Sequence, residues 1–458
     1  MRGLWLFSWF LATWIVCTPQ TLFANGMRSH LFITEAALKE LPDGKLRSLL
    51  NANKNIVLSG SYFPDSGYAA KDDYGEMAHW EPFLGAFLNF IKREFKGKPL
   101  DKADAAKYVS FLMGAASHSM ADQCFDTLFM RRTKELDGDD KELDLAGDVF
   151  LVMKKKSIDP PEFWVPFDDA AKVFKELGHN VKADTLKRGM SLARTAQITL
   201  RLLAESDYER LKTKMPWAEK MLLDPKEPGA LPYLGKVVAK YWQVLWRRLQ
   251  DENAMDEALL ISQPARNAAN IEVDKGSVTS QLTFFFGYPL LKKSYTDANI
   301  WVEDVSLGNK VPINISWWGA QDGANTLKLR PKSNWSYDTE YKVTLSSKLV
   351  NLDKQTLPLS TFTFRTRPKV LPEPADETSG IEGDSKDGGS KNESISDISS
   401  PQTEKSITTE VTAETPASGS GCGCEQTTTT GFALWFFFAL LGWLQVWRRK
   451  PSNKRSLC

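Results

Sequence analysis

The hydrophobic period of this chain changes once, near Ile271, and a change of period divides it into two kinds of layer joined in series. Upstream, from Asn25 to about Asp251, apolar residues recur at three- and four-residue spacing. That pattern predicts helices over Thr34–Leu41, Pro82–Phe95, Ala103–Asp126, Phe167–Glu176, Val181–Glu205 and Gly235–Leu249. Tyr108, Phe111, Leu112 and Ala115 mark the buried stripe of the third. Downstream, from Val278 to Thr366, the period is two. The alternating runs are Leu282-Phe284-Phe286, Ile300-Val302, Val311-Ile313-Ile315, Leu327-Leu329, Tyr341-Val343-Leu345 and Phe362-Phe364. Turn residues at Gly308-Asn309, Asp322-Gly323 and Asp338 separate them, so a β-sandwich is expected.

The remainder of the chain is not globular in pattern. Arg367–Ser420 is rich in Ser, Thr, Glu, Asp, Pro and Gly and has no aromatic residue, so it is expected to be a disordered stalk. Arg2, the apolar run Leu4–Cys17 and the following Leu22-Phe23-Ala24 read as a secretory signal peptide ending at Ala24. Gly431–Trp447 is apolar and long enough to cross a bilayer, and Arg448-Arg449-Lys450 follows it. The basic cluster should stay in the cytoplasm, which places everything upstream outside the cell. The expected organisation is therefore multidomain: a signal peptide at 1–24, an all-α domain at 25–255, a β-sandwich at 270–367, a linker at 368–420, and at 421–450 a Cys motif, a single transmembrane helix and a basic tail.

Charge and cysteine usage exclude some functions. Lys and Arg number 58 against 57 Asp and Glu, so no basic excess argues for a stable nucleic-acid partner. Of five cysteines, Cys124 has no neighbour within the globular part, and the fold cannot rest on a disulfide framework.

Histidine is scarce, with four in the chain, and three of them stand near acids in the first 120 positions. His118 and Asp122 are four apart in a helical stretch, so an imidazole and a carboxylate share one face, as a metal site requires. Asp126 extends the row by another turn. Asp65 follows Pro64 in a loop, His79 precedes a helix in Glu76-Met-Ala-His79-Trp80-Glu81, and His30 lies near the expected mature N-terminus. Singly these are ordinary turn acids, helix-start residues or surface pairs; the ordered set is much harder to obtain by chance. His179 has no acid at ligand spacing and reads as structural or surface, while Trp80 beside His79 could line a pocket.

His30, the YFPD segment with Asp65, the HWEPF segment with His79, and FLMGAASHSMAD with His118 and Asp122 resemble the zinc-dependent phospholipase C superfamily, nearest the catalytic domain of glycosylphosphatidylinositol-specific phospholipase D. The resemblance implies an all-helical domain with a clustered metal site that splits phosphodiester bonds. It further implies that Asp65 and Asp122 bridge metals, that His30, His79 and His118 complete the set, and that the amine of Asn25, freed by cleavage after Ala24, adds a ligand. The reaction implied is attack by metal-activated water, with Asp65 taking its proton. Where the family supplies two further histidines, this chain has Asp126 and Asp144, with Asp148 one turn on. Two or three Zn²⁺ ions are thus expected, one position suiting Mn²⁺, Mg²⁺ or Ca²⁺, unless that third site is lost.

The FxFxT strand Phe362–Thr366 resembles the end of bacterial Ig-like domains, and Gly421-Cys-Gly-Cys424 with the apolar span and basic tail resembles a myxobacterial C-terminal sorting signal, which implies a sorting protease and lipid attachment. Three functions remain open: a phospholipase on phospholipid or glycolipid substrate, a single-strand nuclease or nucleotidase of the same superfamily, and a non-catalytic surface adhesin with a relict metal site.

Overall fold

The computed structural model describes residues 26–320 and 322–369; the expected signal peptide, Asn25, nearly all of the stalk, the Cys pair and the apolar span at 431–447 lie outside them. Among the described residues no helix is long and apolar enough to cross a membrane.

The first half is helical. Its elements are α1 (Met27–Glu40), α2 (Lys45–Ala52), α3 (Lys54–Ser61), α4 (Asp65–Ala70), α5 (Tyr74–Ala78), α6 (Glu81–Glu94) and α7 (Ala103–Cys124). After a π-helical turn (Phe125–Met130) come α8 (Arg131–Asp137), α9 (Leu143–Met153), α10 (Phe167–Glu176), α11 (Ala183–Lys214), α12 (Pro216–Met221) and α13 (Leu231–Leu249). The long amphipathic runs are where the periodicity put them, and α10 matches its expected span. The short helices α2 to α5 carry too few turns to show a period, and α1 starts at Met27, ahead of the apolar pattern. The N–H groups of its first turn donate to Asp148 of α9, a partner that no local pattern encodes.

Two crossings place the later ligands. At the first, α3 runs against α7 with Gly60 and Gly114 facing each other. A Cβ at Gly60 would press on the Phe111 carbonyl oxygen, and one at Gly114 on that of Val57. Only hydrogen at both positions lets the two backbones touch. At the second, Phe63 sits between Phe111 (ring centroids 5.1 Å apart), Tyr74 (5.7 Å) and Phe83 (5.9 Å), and Phe83 stacks on Phe174 at 4.6 Å. This aromatic knot fixes the loop before α4.

The second half is a sandwich of two sheets, with strand orders β1-β3-β7-β6 and β2-β9-β8-β4-β5. The strands are β1 (Leu259–Gln263), β2 (Ala268–Ile271), β3 (Leu282–Leu291), β4 (Ile300–Asp304), β5 (Lys310–Val311), β6 (Ile313–Trp318), β7 (Gly323–Pro331), β8 (Glu340–Leu345) and β9 (Ser360–Thr366). All pairings are antiparallel except β2 with β9. The β region thus begins ahead of position 270. β1 escapes the sequence reading because its residues alternate poorly: only Leu260 is fully buried, since a strand at the sheet edge meets one neighbour. Inward residues such as Phe284, Leu327, Val343 and Phe364 form the core between the sheets.

Candidate metal centre

Each expected ligand sits at the end or start of a helix, or on the face of α7. His30 lies in the first turn of α1, Asp65 opens α4 behind Pro64, and His79 follows the last residue of α5. His118 and Asp122 come from α7. All five are buried. His118 Nε2 lies 2.8 Å from His79 Nε2, 3.1 Å from Asp122 Oδ2 and 3.6 Å from Asp65 Oδ1. His79 Nε2 is 3.6 Å from Asp65 Oδ1 and 3.4 Å from Asp122 Oδ2, and His30 Nε2 is 3.1 Å from Asp122 Oδ1. The rings of His30 and His118 stack at 3.7 Å. Two overlapping ligand groups result, His30–His118–Asp122 and Asp65–His79–His118.

The backbone decides which nitrogens face inward. The Gly75 carbonyl lies 2.6 Å from His79 Nδ1 and the Ser61 carbonyl 2.7 Å from His118 Nδ1. A carbonyl only accepts, so each Nδ1 carries hydrogen and each ring turns its Nε2 to the centre. Two Nε2 atoms 2.8 Å apart share either a proton or a metal ion. Both oxygens of Asp65, both of Asp122 and both nitrogens of His30 are buried without a hydrogen-bond partner, although some lie within ion-pair distance. Close approach without hydrogen-bond alignment is the geometry of donors converging on one ion. The residues present therefore fit zinc.

The charges agree. Burial opposes protonation of His79, but Asp65 and Asp122 outweigh it and raise its pKa to about 9. His118 is lowered, by burial and by His30. Asp122 is held well below the usual carboxylate range: burial works against this, and His118 and His30 overcome it.

The remaining expected ligands are placed differently. Asp126 lies on the π turn that follows α7, near enough to Asp122 to feel its charge. It belongs to neither ligand group. Its Oδ1 is buried without a partner, and burial and the charge of Asp122 push its pKa well up. Asp148 is engaged elsewhere. It accepts hydrogen bonds from the backbone N–H of Arg28 (3.1 Å) and Ser29 (2.9 Å) and from the Ser29 hydroxyl (3.1 Å), capping α1 from the side. Burial nonetheless raises its pKa to about 6. Asp144 stands in the first turn of α9, its backbone packed against Gly26. His179 does have an acid: Asp72 Oδ1 lies 3.1 Å from its Nε2, joining the loop after α10 to the α4–α5 loop. Spacing could not show this partner, because it is 107 residues away.

Around the centre, Tyr68 and Trp80 both donate to Glu76, at 2.9 and 2.7 Å, and the Tyr68 ring lies 5.3 Å from that of His79. Sequence reasoning missed the contribution of the sandwich, where Trp318 touches Trp80 with centroids 5.9 Å apart. No motif signals it. A cavity of about 330 Å³ lies nearby between α6, α13 and β3, but none of the candidate ligands lines it, and its Glu81 and Arg248 are paired at 2.7 Å.

With this geometry in hand, comparison with known proteins places the two halves. Residues 29–125 match the family model described as zinc dependent phospholipase C, and residues 258–366 match that of the bacterial Ig-like domain. The helical half resembles zinc dependent phospholipase C. Among curated relatives, the phosphatidylinositol-glycan-specific phospholipase D of Bos taurus is 30% identical over 174 residues, covering 33% of this chain and 20% of that protein. That of Rattus norvegicus is 25% identical over 330 residues, covering 64% of this chain and 38% of its own. The chain thus spans well under half the length of these relatives. Among solved structures, the N-terminal part of the bacterial S-layer protein SbsC aligns over 70% of this chain and 79% of its own, at 11% identity and a TM-score of 0.19, too low to carry an argument.

Proposed function

We propose that this chain is an exported, surface-anchored phosphodiesterase that hydrolyses phospholipids with water at a zinc centre held by His30, Asp65, His79, His118 and Asp122. The single observation that carries the reading is the buried convergence of three imidazoles and two carboxylates into two overlapping ligand groups, with no hydrogen-bond partner on either carboxylate or on His30. Structural histidines rarely aim lone pairs at one another, and buried carboxylates are rarely left without donors. The match of residues 29–125 to a phospholipase family and the likeness to phospholipase D relatives support the choice of substrate.

The chain's own groups have definable tasks. His79 and His118 are fixed in orientation by the Gly75 and Ser61 carbonyls, so they hold the centre rigid. Asp122 turns one oxygen to His30 and the other to His118, and would hold metal alongside both. Asp65, buried with both oxygens free of donors, is the base that takes a proton from the attacking water. Divalent zinc bound there polarises the phosphoryl oxygens and makes water more acidic. Asp126, Asp144 and Asp148 are left for a further ion, with Asp148 the poorest candidate because three donors already occupy it. The signal peptide, the span at 431–447 and the basic tail support export and anchoring.

The test is an assay of the purified, zinc-loaded chain against phospholipid vesicles and single-stranded DNA. Lipid hydrolysis should vanish with chelator, return with zinc, and fall at least about a hundredfold in His118→Ala together with zinc content. Absence of bindable metal, or unchanged activity in His118→Ala, would overturn the reading; cleavage of DNA alone would move it to the nucleases.

A further inference from the structure

Among the ligands of the centre, only His79 and Asp122 reach the surface, at 7% and 6% exposure, while His30, Asp65 and His118 are wholly enclosed. A phosphodiester therefore arrives from the side of those two. The residue following each of them touches the sandwich. Trp80 meets Trp318, and the Gln123 side-chain oxygen accepts a hydrogen bond from the Thr326 hydroxyl at 3.0 Å. The β6–β7 pair thus stands at the mouth of the centre.

Strand alternation decides what it presents there. Leu327 and Leu329 of β7 are buried in the sandwich core, so Thr326, Lys328 and Arg330 share the opposite face. Cross-strand register sets Trp318 opposite Thr326 on that face, and Lys328 Nζ lies 5.9 Å from the Trp318 ring centroid. Farther along, Arg330 and Arg131 of α8 converge on one neutral acceptor, the Gln281 side-chain oxygen, at 3.1 and 2.8 Å. Lys328 and Arg330 place cations on this face, and two indoles, one of them donating to Glu76, stand at the end nearest the metal centre.

We infer that this face of β6 and β7 is the outer wall of the substrate cleft, where Lys328, backed by Trp318 and Trp80, recognises a second anionic group on the organic substituent of the diester. The inference rests on the hydrolase reading and deepens it. The indoles supply apolar contact for the carbon skeleton of the head group, and the ammonium answers the added charge. The sandwich is then a specificity element of the enzyme as well as a spacer.

The test uses the zinc-loaded chain and three soluble diesters: short-chain phosphatidylinositol, its 4-phosphate, and bis(p-nitrophenyl) phosphate. The lipids are kept monomeric so that no bilayer charge contributes. The wild type should prefer the 4-phosphate. Lys328→Gln should lower kcat/KM for it about tenfold, through KM, and leave the other two within about twofold. Lys328→Arg should keep the preference, and Trp318→Ala should weaken both lipids by a similar factor, leaving their ratio unchanged. The inference is overturned if the wild type shows no preference, if Lys328→Gln leaves the ratio unchanged, or if all three substrates fall together. Failure of the wild type on every diester would instead overturn the hydrolase reading, and this inference with it.

Discussion

At the scale of single residues, the positioning of the ligands depends on side chains that touch no ligand atom. Asp148 is the clearest case. Its carboxylate holds the N–H groups of Arg28 and Ser29, and His30 is the next residue along the same turn. Arg28, itself wholly buried, anchors that turn on the other side by donating to Ser157 and to the Gln197 carbonyl oxygen at 2.6 Å. Asp148→Asn keeps the shape but replaces one acceptor oxygen with a donor. It should cost about 1–2 kcal/mol of stability by chemical denaturation, in the range of a lost helix cap. It should also weaken zinc binding, measured by competition with a chromophoric chelator, because His30 loses its fixed turn. Unchanged zinc affinity at lowered stability would show that the cap does not govern His30.

At the scale of elements, the α3–α7 crossing matters most. It allows the Ser61 carbonyl at the end of α3 to reach His118 on α7, and it brings the Asp65 loop over the same face. Gly114→Ala inserts a methyl against the Val57 carbonyl, which is backbone and cannot swing aside. Overpacking of this kind should cost about 1–3 kcal/mol in denaturant unfolding. Because the strain falls between the supports of His118 and Asp65, activity should drop further than stability at temperatures where the variant is folded. A variant with full activity would show that the crossing is looser than its contacts indicate.

At the scale of the whole molecule, the helical half and the sandwich share buried polar contacts. Arg248 at the end of α13 pairs with Glu81 at the start of α6 at 2.7 Å and lies 4.8 Å over the ring of Tyr288 on β3. Glu81→Ala leaves the buried guanidinium without its counter-charge, and about 3–5 kcal/mol should be lost. Glu81→Ala combined with Arg248→Met should recover much of that loss. Since Arg248 also reaches Tyr288 and the Gly287 carbonyl oxygen of the sandwich, calorimetry should show the single variant losing cooperativity between the halves, while an equal loss in the double variant would argue against pairing as the cause.

How much of this was readable from the chain depends on the range of the interaction. The long helices, the switch to a period of two and the HxxxD pair follow from side-chain spacing along a single element, which the sequence states directly. The candidate ligands His30, Asp65, His79, His118 and Asp122 were legible as residue types in order and through the family resemblance their motifs carry, and the fold brings them together. The short helices and β1 were not legible, because so few residues carry no period and because their burial comes from neighbours far along the chain. The same reason hid the Asp72 partner of His179 and the capping role of Asp148. Most of all, nothing in the spacing of Trp80, Gln123, Trp318 and Lys328 relates them. Sequence alone determined which atoms could bind a metal. Only tertiary packing decided which nitrogens face inward, which acids are occupied by backbone donors, and that a sheet from the second half stands at the mouth of a centre built by the first.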